Sequence, residues 1–292
     1  MDNFVQIDRL YISKLFPKRN EDSNKGTFGT VLNIAGSIYY PGAAHLSSIA
    51  ALRAGAGLVR LASETNTVNV TASKTSDVTY IDLGTSEYGT IPKDGLKLIK
   101  NLKTPSAILI GCGLTTLNPT KEAVLKILKN YLETSIPVVI DADAINILSL
   151  SNNLPLPLNS VITPHPLELS RLIKVEVEEI VQDRLKWAKY AASKLDCIVV
   201  LKGHNTIISI PNGGTFMNVT GNSALAHGGT GDVLAGMIAG FAAQGMKLED
   251  AAVLAVYLHG RAGEIASRKL SEYSVLASDI LDFIPLAIKE FF

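Results

Sequence analysis

The sequence predicts an α/β fold of three layers, α-β-α, with helices on both faces of a mostly parallel central sheet. Three observations predict it. Short apolar runs alternate with helix-like segments along almost the whole chain. Of the 292 residues, 47% are apolar and only 6% aromatic, the balance of an enzyme with a large aliphatic core. Small or polar clusters recur where the apolar runs stop, which is where open parallel sheets bind ligands.

Thr30–Ala35 reads as the first strand, Ala43–Ala54 (rich in Ala, Leu and Ser) as a helix, and Leu58–Ala62 as a strand again. Ala107–Ile110 and Val138–Ile140 are apolar enough for strands buried on both faces, with a helix over Lys121–Leu132 between them. Val161–Thr163 is a strand ending at a proline. Glu176–Leu195 reads as one long helix, and its Trp187 as core packing. Ile198–Lys202 and Thr206–Ser209 are strands joined by the turn Gly203-His204-Asn205, and Phe216–Val219 is a further short strand. The remainder reads as helical: Asp232–Gln244, Leu248–Lys269 and Ala277–Phe291. The final Phe291-Phe292 would seal a core or a subunit interface. Leu150–Ser160, with Pro155 and Pro157, reads as a loop rather than a boundary, so residues 1–292 are expected to form a single domain.

Formal net charge is zero, from 27 basic and 27 acidic residues, so nothing points to nucleic acid or an anionic membrane. An anionic ligand must then be held by local donors rather than by the overall field. No secretory signal is visible at the amino terminus, and runs such as Ala251–Tyr257 are too short to span a bilayer. Cys112 and Cys197 match no metal-ligand spacing and read as buried, inert thiols. A cytoplasmic location is expected.

The most informative stretch runs from Thr220 to Asp232 and into Val233–Ile238. Here a glycine-rich loop, including Gly228, Gly229, Thr230 and Gly231, opens directly into an apolar helix. Glycines let backbone N–H groups approach a ligand, and a helix N-terminus adds unpaired donors and partial positive charge, favouring a phosphate. Asp232 has two readings. It caps the helix, or it removes a proton from a hydroxyl being phosphorylated; spacing alone does not choose. No GxxxxGK[ST] occurs, and neither Gly55-Ala56-Gly57 nor Gly111-Cys112-Gly113 continues as GxGxxG, so the common nucleotide fingerprints do not apply.

Several clusters together resemble one family: Lys25–Gly29, Ala35-Gly36-Ser37, Pro41-Gly42-Ala43-Ala44, Arg53–Gly57, Gly111-Cys112-Gly113-Leu114, Asp141-Ala142-Asp143-Ala144, Thr163-Pro164-His165-Pro166 with Glu168, and Gly221–Gly236. Their order looks like the ADP-dependent NAD(P)H-hydrate dehydratases of the ribokinase-like superfamily. The resemblance implies that hydrated NADH or NADPH, in its S form, is dehydrated with ADP as co-substrate and Mg²⁺ accompanying the nucleotide phosphates. By position it makes Asp232 the catalytic base. Ala43, Gly113, His165 and Asp232 would contact the hydrated nicotinamide. Lys202, Gly203, His204, Asn205 and Thr206, with Gly228–Gly231, would bind the nucleotide. A separate epimerase would interconvert the hydrate epimers, and a homo-oligomer is expected.

Each assignment has a plainer alternative. His165 between two prolines would serve as a turn cap, and Lys202 as a solvated strand end. Ala43 and Gly113 would merely admit a close helix. Asp141 and Asp143 could help hold a metal-bound water, or Asp143 would cap a helix over Ala144–Leu148. His227 reads as a loop contact near the nucleotide and His259 as a helix residue. Many relatives carry Gly where Leu167 stands, so a leucine there is expected to cost backbone freedom and crowd the substrate. Relatives often have Pro at Ser223. Two rival functions remain: a vitamin-precursor or sugar kinase of the same superfamily, which would leave a stable phosphorylated product, and a non-catalytic nucleotide-binding module.

Overall fold

The computed structural model describes residues 4–95, 97–100, 103–151 and 155–292. The chain runs β1 (Val5–Gln6), α1 (Arg9–Ser13), β2 (Thr30–Ile34), α2 (Pro41–Arg53), β3 (Leu58–Ser63), α3 (Thr65–Lys74), β4 (Thr79–Asp82) and α4 (Lys97–Lys100). It continues with β5 (Ala107–Ile110), α5 (Asn118–Asn130), β6 (Val138–Ile140), α6 (Ala142–Ser149), β7 (Ser160–Ile162), α7 (Pro166–Ile173), α8 (Val177–Gln182) and α9 (Arg184–Leu195). Then follow β8 (Ile198–Leu201), β9 (Thr206–Ser209), β10 (Thr215–Asn218), a 3-10 turn (Ser223–Leu225), α10 (Thr230–Ala243), α11 (Leu248–Leu270) and α12 (Ala277–Lys289).

Ten strands form one sheet in the order β1-β10-β9-β8-β7-β6-β5-β2-β3-β4. Every pair is parallel except β8 with β9 and β9 with β10, which are antiparallel. Side chains alternate across it as the pleat requires. Val31, Leu109, Val139 and Val200 face the layer of α2, α10, α11 and α12, while Leu32, Ile108, Ile140 and Leu201 face that of α5, α6, α7 and α9. The three-layer, mostly parallel architecture read from the sequence is thus the one observed. After β4 the chain returns to the other side of β2, so the winding direction reverses between β2 and β5. Ligands bind at such a reversal, beyond the carboxyl ends of the strands.

Glu176–Leu195 is two helices rather than one. Asp183 breaks it at φ −141° and ψ 73°, and its carboxylate caps α9 by accepting from the Lys186 N–H at 3.0 Å. Asp143, by contrast, is not a cap: Asp141 precedes α6, and Asp143 lies in its first turn, accepting from the Thr115 N–H at 2.7 Å. Leu167 sits in the first turn of α7, 42% exposed. Trp187 is only half-buried and meets Tyr190 edge-on. Phe291 packs on the core, whereas Phe292 is 85% exposed. The expected loop Leu150–Ser160 lies partly outside the described residues. No described helix is long and apolar enough to cross a membrane.

The helices that carry the site are fixed by their closest contact. A Cβ at Gly236 of α10 would lie 2.2 Å from the Ser47 carbonyl oxygen of α2, and one at Gly240 would lie 2.4 Å from that of Ala51. Backbone therefore meets backbone. Ser47 and Ser48 each accept from Asn33 Nδ2 of β2 at 2.9 Å, which pins α2 to the sheet as well. Gly236→Ala would add about 1 kcal/mol of helix propensity, but the clash is with a main-chain carbonyl that cannot swing aside. We expect a net loss of about 1–3 kcal/mol, read from urea denaturation; an unchanged or higher midpoint would contradict this packing.

Candidate functional site

Five segments meet at the carboxyl edge of the sheet because backbone bonds tie one strand end to the next. Gly36 N–H donates to the Cys112 carbonyl at 2.8 Å, Asp141 to Ile110 at 3.1 Å, Thr163 to Ile140 at 3.1 Å, and Lys202 to Pro164 at 2.9 Å. Residues far apart in sequence thereby share one floor. The N-terminus of α10 closes it from the helical layer.

Asp232 is the third residue of α10. The residue that caps this helix is Gly229, at φ +94° and without a side chain to donate or accept. The capping reading of Asp232 therefore fails. Its carboxylate lies instead with the Cys112 thiol and the Asp141 carboxylate, one ligand atom from each being within 4.8 Å of the others. Burial, then the charges of Asp141 and Asp143, push the Asp232 carboxyl up to about 7, against a lowering by the Cys112 hydrogen bond and by Lys202. An acid so placed titrates near neutrality, as a general base requires. Cys112 is the buried thiol that the sequence led us to expect. Its buried thiol is pushed well up by desolvation and by the charges of Asp232 and Asp141, so it stays neutral beside them.

Lys202 is not solvated. Its side chain is 20% exposed, with Nζ 2.8 Å from Asp141 Oδ1 and 3.8 Å from Glu168 Oε2. Asp141 Oδ1 also accepts from the Thr163 hydroxyl at 2.6 Å. Burial opposes the ammonium, but Asp141 and Glu168 outweigh it and raise the lysine overall. A Cβ at Gly231 would lie 3.4 Å from Nζ, which places this ammonium against the first turn of α10. The first-turn N–H groups of α10 have no intrahelical acceptor, so donors and ammonium face the same space.

Beside them opens a cavity of about 400 Å³. Lys202, Gly203, His204, Asn205 and Thr206 line one side, Asn218 and Thr220–Ser223 another, with Thr230, Gly231, Val256, His259 and Gly260 completing it. Of the residues read as nucleotide-binding, Gly228 and Gly229 lie outside this lining; Gly229 instead turns the chain into α10. His227 does not line it either, its Nδ1 lying 3.1 Å from the Ala224 carbonyl oxygen. Asn218, Val256 and Gly260 were missed. They lie on the end of β10 and on α11 with no motif of their own, and only the fold brings them here.

On the other side of Asp232 lies the winding reversal. Gly113, at φ +64°, packs so closely that a Cβ there would be 2.8 Å from Ala43 Cβ and 2.7 Å from Tyr40 Cβ. These two small residues thus do touch one another. His165 is the N-cap of α7: its Nδ1 accepts from Glu168 N–H at 3.2 Å, and Glu168 Oε2 accepts from His165 N–H at 2.8 Å. The turn-cap reading of His165 holds, while its half-exposed ring still borders the Lys202–Glu168 pair. Burial, then Lys202, keep that ring below the usual histidine range and hence neutral.

Cys112, Asp141 and Asp232 are the only described group with metal-ligand proximity. They do not fit a dedicated Mg²⁺ cage. The thiol is soft and neutral, and Asp141 Oδ1 is already committed to Lys202 and Thr163, whereas Mg²⁺ demands octahedral oxygen ligands.

The family model described as NAD(P)H-hydrate dehydratase matches residues 31–286. The chain is 35% identical over 285 residues to the ADP-dependent (S)-NAD(P)H-hydrate dehydratase of Bacillus subtilis, covering 96% of each. It is 37% identical over 280 residues to the bifunctional NAD(P)H-hydrate repair enzyme of Moorella thermoacetica, and spans 52% of that relative's length. A crystal structure of the ADP/ATP-dependent NAD(P)H-hydrate dehydratase from Bacillus subtilis, co-crystallised with ATP and Mg²⁺, superposes with a TM-score of 0.86 at 33% identity, covering 99% of both chains. A ribokinase-like superfamily protein from Enterococcus faecalis gives a TM-score of 0.87 at 29% identity, covering 99% of this chain and 96% of that one. The fold is ribokinase-like, and the chain belongs to the NAD(P)H-hydrate dehydratase family.

Proposed function

We propose that this chain repairs hydrated nicotinamide nucleotides, dehydrating (S)-hydrated NADH or NADPH at the expense of ADP and releasing AMP and phosphate. The observation that carries this reading is Asp232, partly buried, near-neutral in pKa, next in the chain to Gly231 of the cavity and clustered with Cys112, the neighbour of Gly113. The nucleotide fills the cavity with its phosphates toward Gly231 and Lys202, and the hydrated ring lies over Ala43 and Gly113 within reach of His165. The nucleotide's phosphates would carry Mg²⁺, which would supply charge neutralisation there, since no described group of side chains fits a cage for it.

Asp232 takes the proton from the hydrate hydroxyl as its oxygen attacks the terminal phosphorus of ADP, and the P–O bond to AMP breaks. The α10 N–H groups and Lys202 stabilise charge on the phosphoryl group during transfer. Hydroxide leaves poorly but phosphate leaves well. The ring nitrogen's lone pair then expels phosphate with the C–O bonding electrons, and loss of a proton from the adjacent ring carbon restores the dihydronicotinamide. Supply of the S epimer belongs to a separate NAD(P)H-hydrate epimerase. A homo-oligomer is part of the same reading, with exposed Phe292 as its candidate surface. The kinase and non-catalytic alternatives are not favoured, because the full-length relatives are named as dehydratases.

Supplied with ADP and the S hydrate, the wild type is expected to restore dihydronicotinamide absorbance. Asp232→Asn is expected to keep nucleotide affinity but turn over about 10²–10⁴-fold more slowly, the usual cost of losing a general base. Equal turnover would remove Asp232 from the chemistry. A stable phosphorylated product would instead favour the kinase.

Because the base acts when ionised, kcat/KM of the wild type is expected to fall on the acid side of about pH 7. The same shift has a cost in stability. A carboxyl raised in the fold contributes stability below its unfolded pKa and loses it as pH rises through about 7. Asp232→Asn escapes that loss, so its stability relative to wild type is expected to grow by about 1–2 kcal/mol between pH 4 and pH 8, allowing for solvent screening. A pH-independent difference in denaturation midpoint would show that Asp232 is not strained by burial.

A further inference from the structure

Arg184, the first residue of α9, lies behind the turn that the cavity uses. Its Nη2 donates to the Leu201 carbonyl at 2.9 Å and its Nη1 donates to the His204 carbonyl, so one guanidinium bridges the two sides of Gly203. A Cβ at Gly203 (φ +144°) would lie 3.0 Å from Nη2 and 3.1 Å from Cζ. The planar cation is therefore laid directly against the turn's backbone, and Arg184 is not among the residues lining the cavity.

Holding two carbonyls does not require a charge, and here the charge is costly. Nε is buried without a hydrogen-bond partner. Among the described residues no carboxylate lies within ion-pair distance of the guanidinium. A cation in the first turn of a helix also opposes the helix dipole, and burial lowers the affinity of the group for its proton. A half-buried cation with no carboxylate partner among the described residues is one that an incoming anion would favour.

The site's charge inventory says what does. Asp141, Asp143, Glu168 and Asp232 face this edge, and Lys202 is already shared between Asp141 and Glu168. Four carboxylates against one paired lysine would repel an incoming phosphate. We propose that Arg184 is a positioning residue for the nucleotide: it fixes the Lys202–Thr206 turn from behind and lends it a positive charge that the nucleotide's phosphates neutralise. This rests on reading the cavity as the nucleotide site.

The test is calorimetric binding of adenosine, AMP and ADP to wild type, Arg184→Gln and Arg184→Lys, with KM for ADP and for the hydrate measured alongside. Arg184→Gln is expected to weaken AMP and ADP about 10–100-fold, the size of a charge-assisted interaction, while adenosine changes less than about threefold. The kinetic loss should fall on KM for ADP more than on kcat. Arg184→Lys should recover part of the phosphate-dependent affinity, because it restores charge but not the two-carbonyl bridge. Equal loss for adenosine and ADP would reduce Arg184 to a structural brace and overturn the inference, as would unchanged ADP affinity in Arg184→Gln. Failure of the wild type to bind ADP at all would overturn the nucleotide reading itself, and the inference with it.

Discussion

The Lys202–Asp141 ion pair is the interaction on which the site's organisation depends. It joins the ends of β6 and β8, residues 61 apart in sequence, at 2.8 Å in a setting nearly closed to water. Removing either partner would strand a buried charge, which costs about 3–5 kcal/mol in comparable settings. Its second effect is electrostatic. By occupying Lys202, Asp141 keeps that ammonium from fully neutralising Asp232, and its own negative charge raises the Asp232 carboxyl further. The pair thus helps set the proton affinity of its neighbour while holding the floor beneath it.

If Asp232 acts as the proposed base, that arrangement places its task in conflict with stability. A carboxyl tuned near neutrality by desolvation is, for the same reason, a poor contributor to folding when ionised. The cost is tolerable because the surrounding frame is rigid: aliphatic strands on both faces, close-packed helices, and capped entries at α7 and α9. Local strain also appears where the site needs sharp turns. Ala142 (φ 47°) and Thr115 (φ 69°) adopt left-handed conformations that non-glycine residues seldom take.

Much of this was legible from residues alone, for reasons that differ by element. The central strands β2, β3, β5, β6, β7 and β8 announce themselves as apolar runs and were placed within about a residue, since burial on both faces leaves no alternation to misread. The strands β1 and β4 and helices α1, α3, α4 and α7 were not seen. They are short or carry polar residues, as in the Thr- and Asn-rich α3 capped by Glu64. The break at Asp183 was hidden because an aspartate inside a helical pattern gives no sign that its side chain will cap the next turn. The glycine-rich loop pointed to Asp232, but only coordinates show that Gly229 is the cap. Arg184 could not have been found from sequence: its meaning lies in two carbonyls it reaches across space and in the carboxylate it lacks.

The backbone-to-backbone crossing of α2 and α10 has a mechanical consequence. Ala43 lies in the first turn of one helix and Asp232 in that of the other, and no side chain lies between Gly236 and Ser47 to act as a bearing. On the proposed roles, the acceptor's platform and its base therefore travel as one welded piece. Any breathing that admits substrate or discharges product has to come from the opposite bank, where the β8–β9 turn and the Thr220–Ser223 segment face the cavity. A lineage adapting this scaffold to a bulkier acceptor would find that weld unyielding and would have to remodel the loops instead.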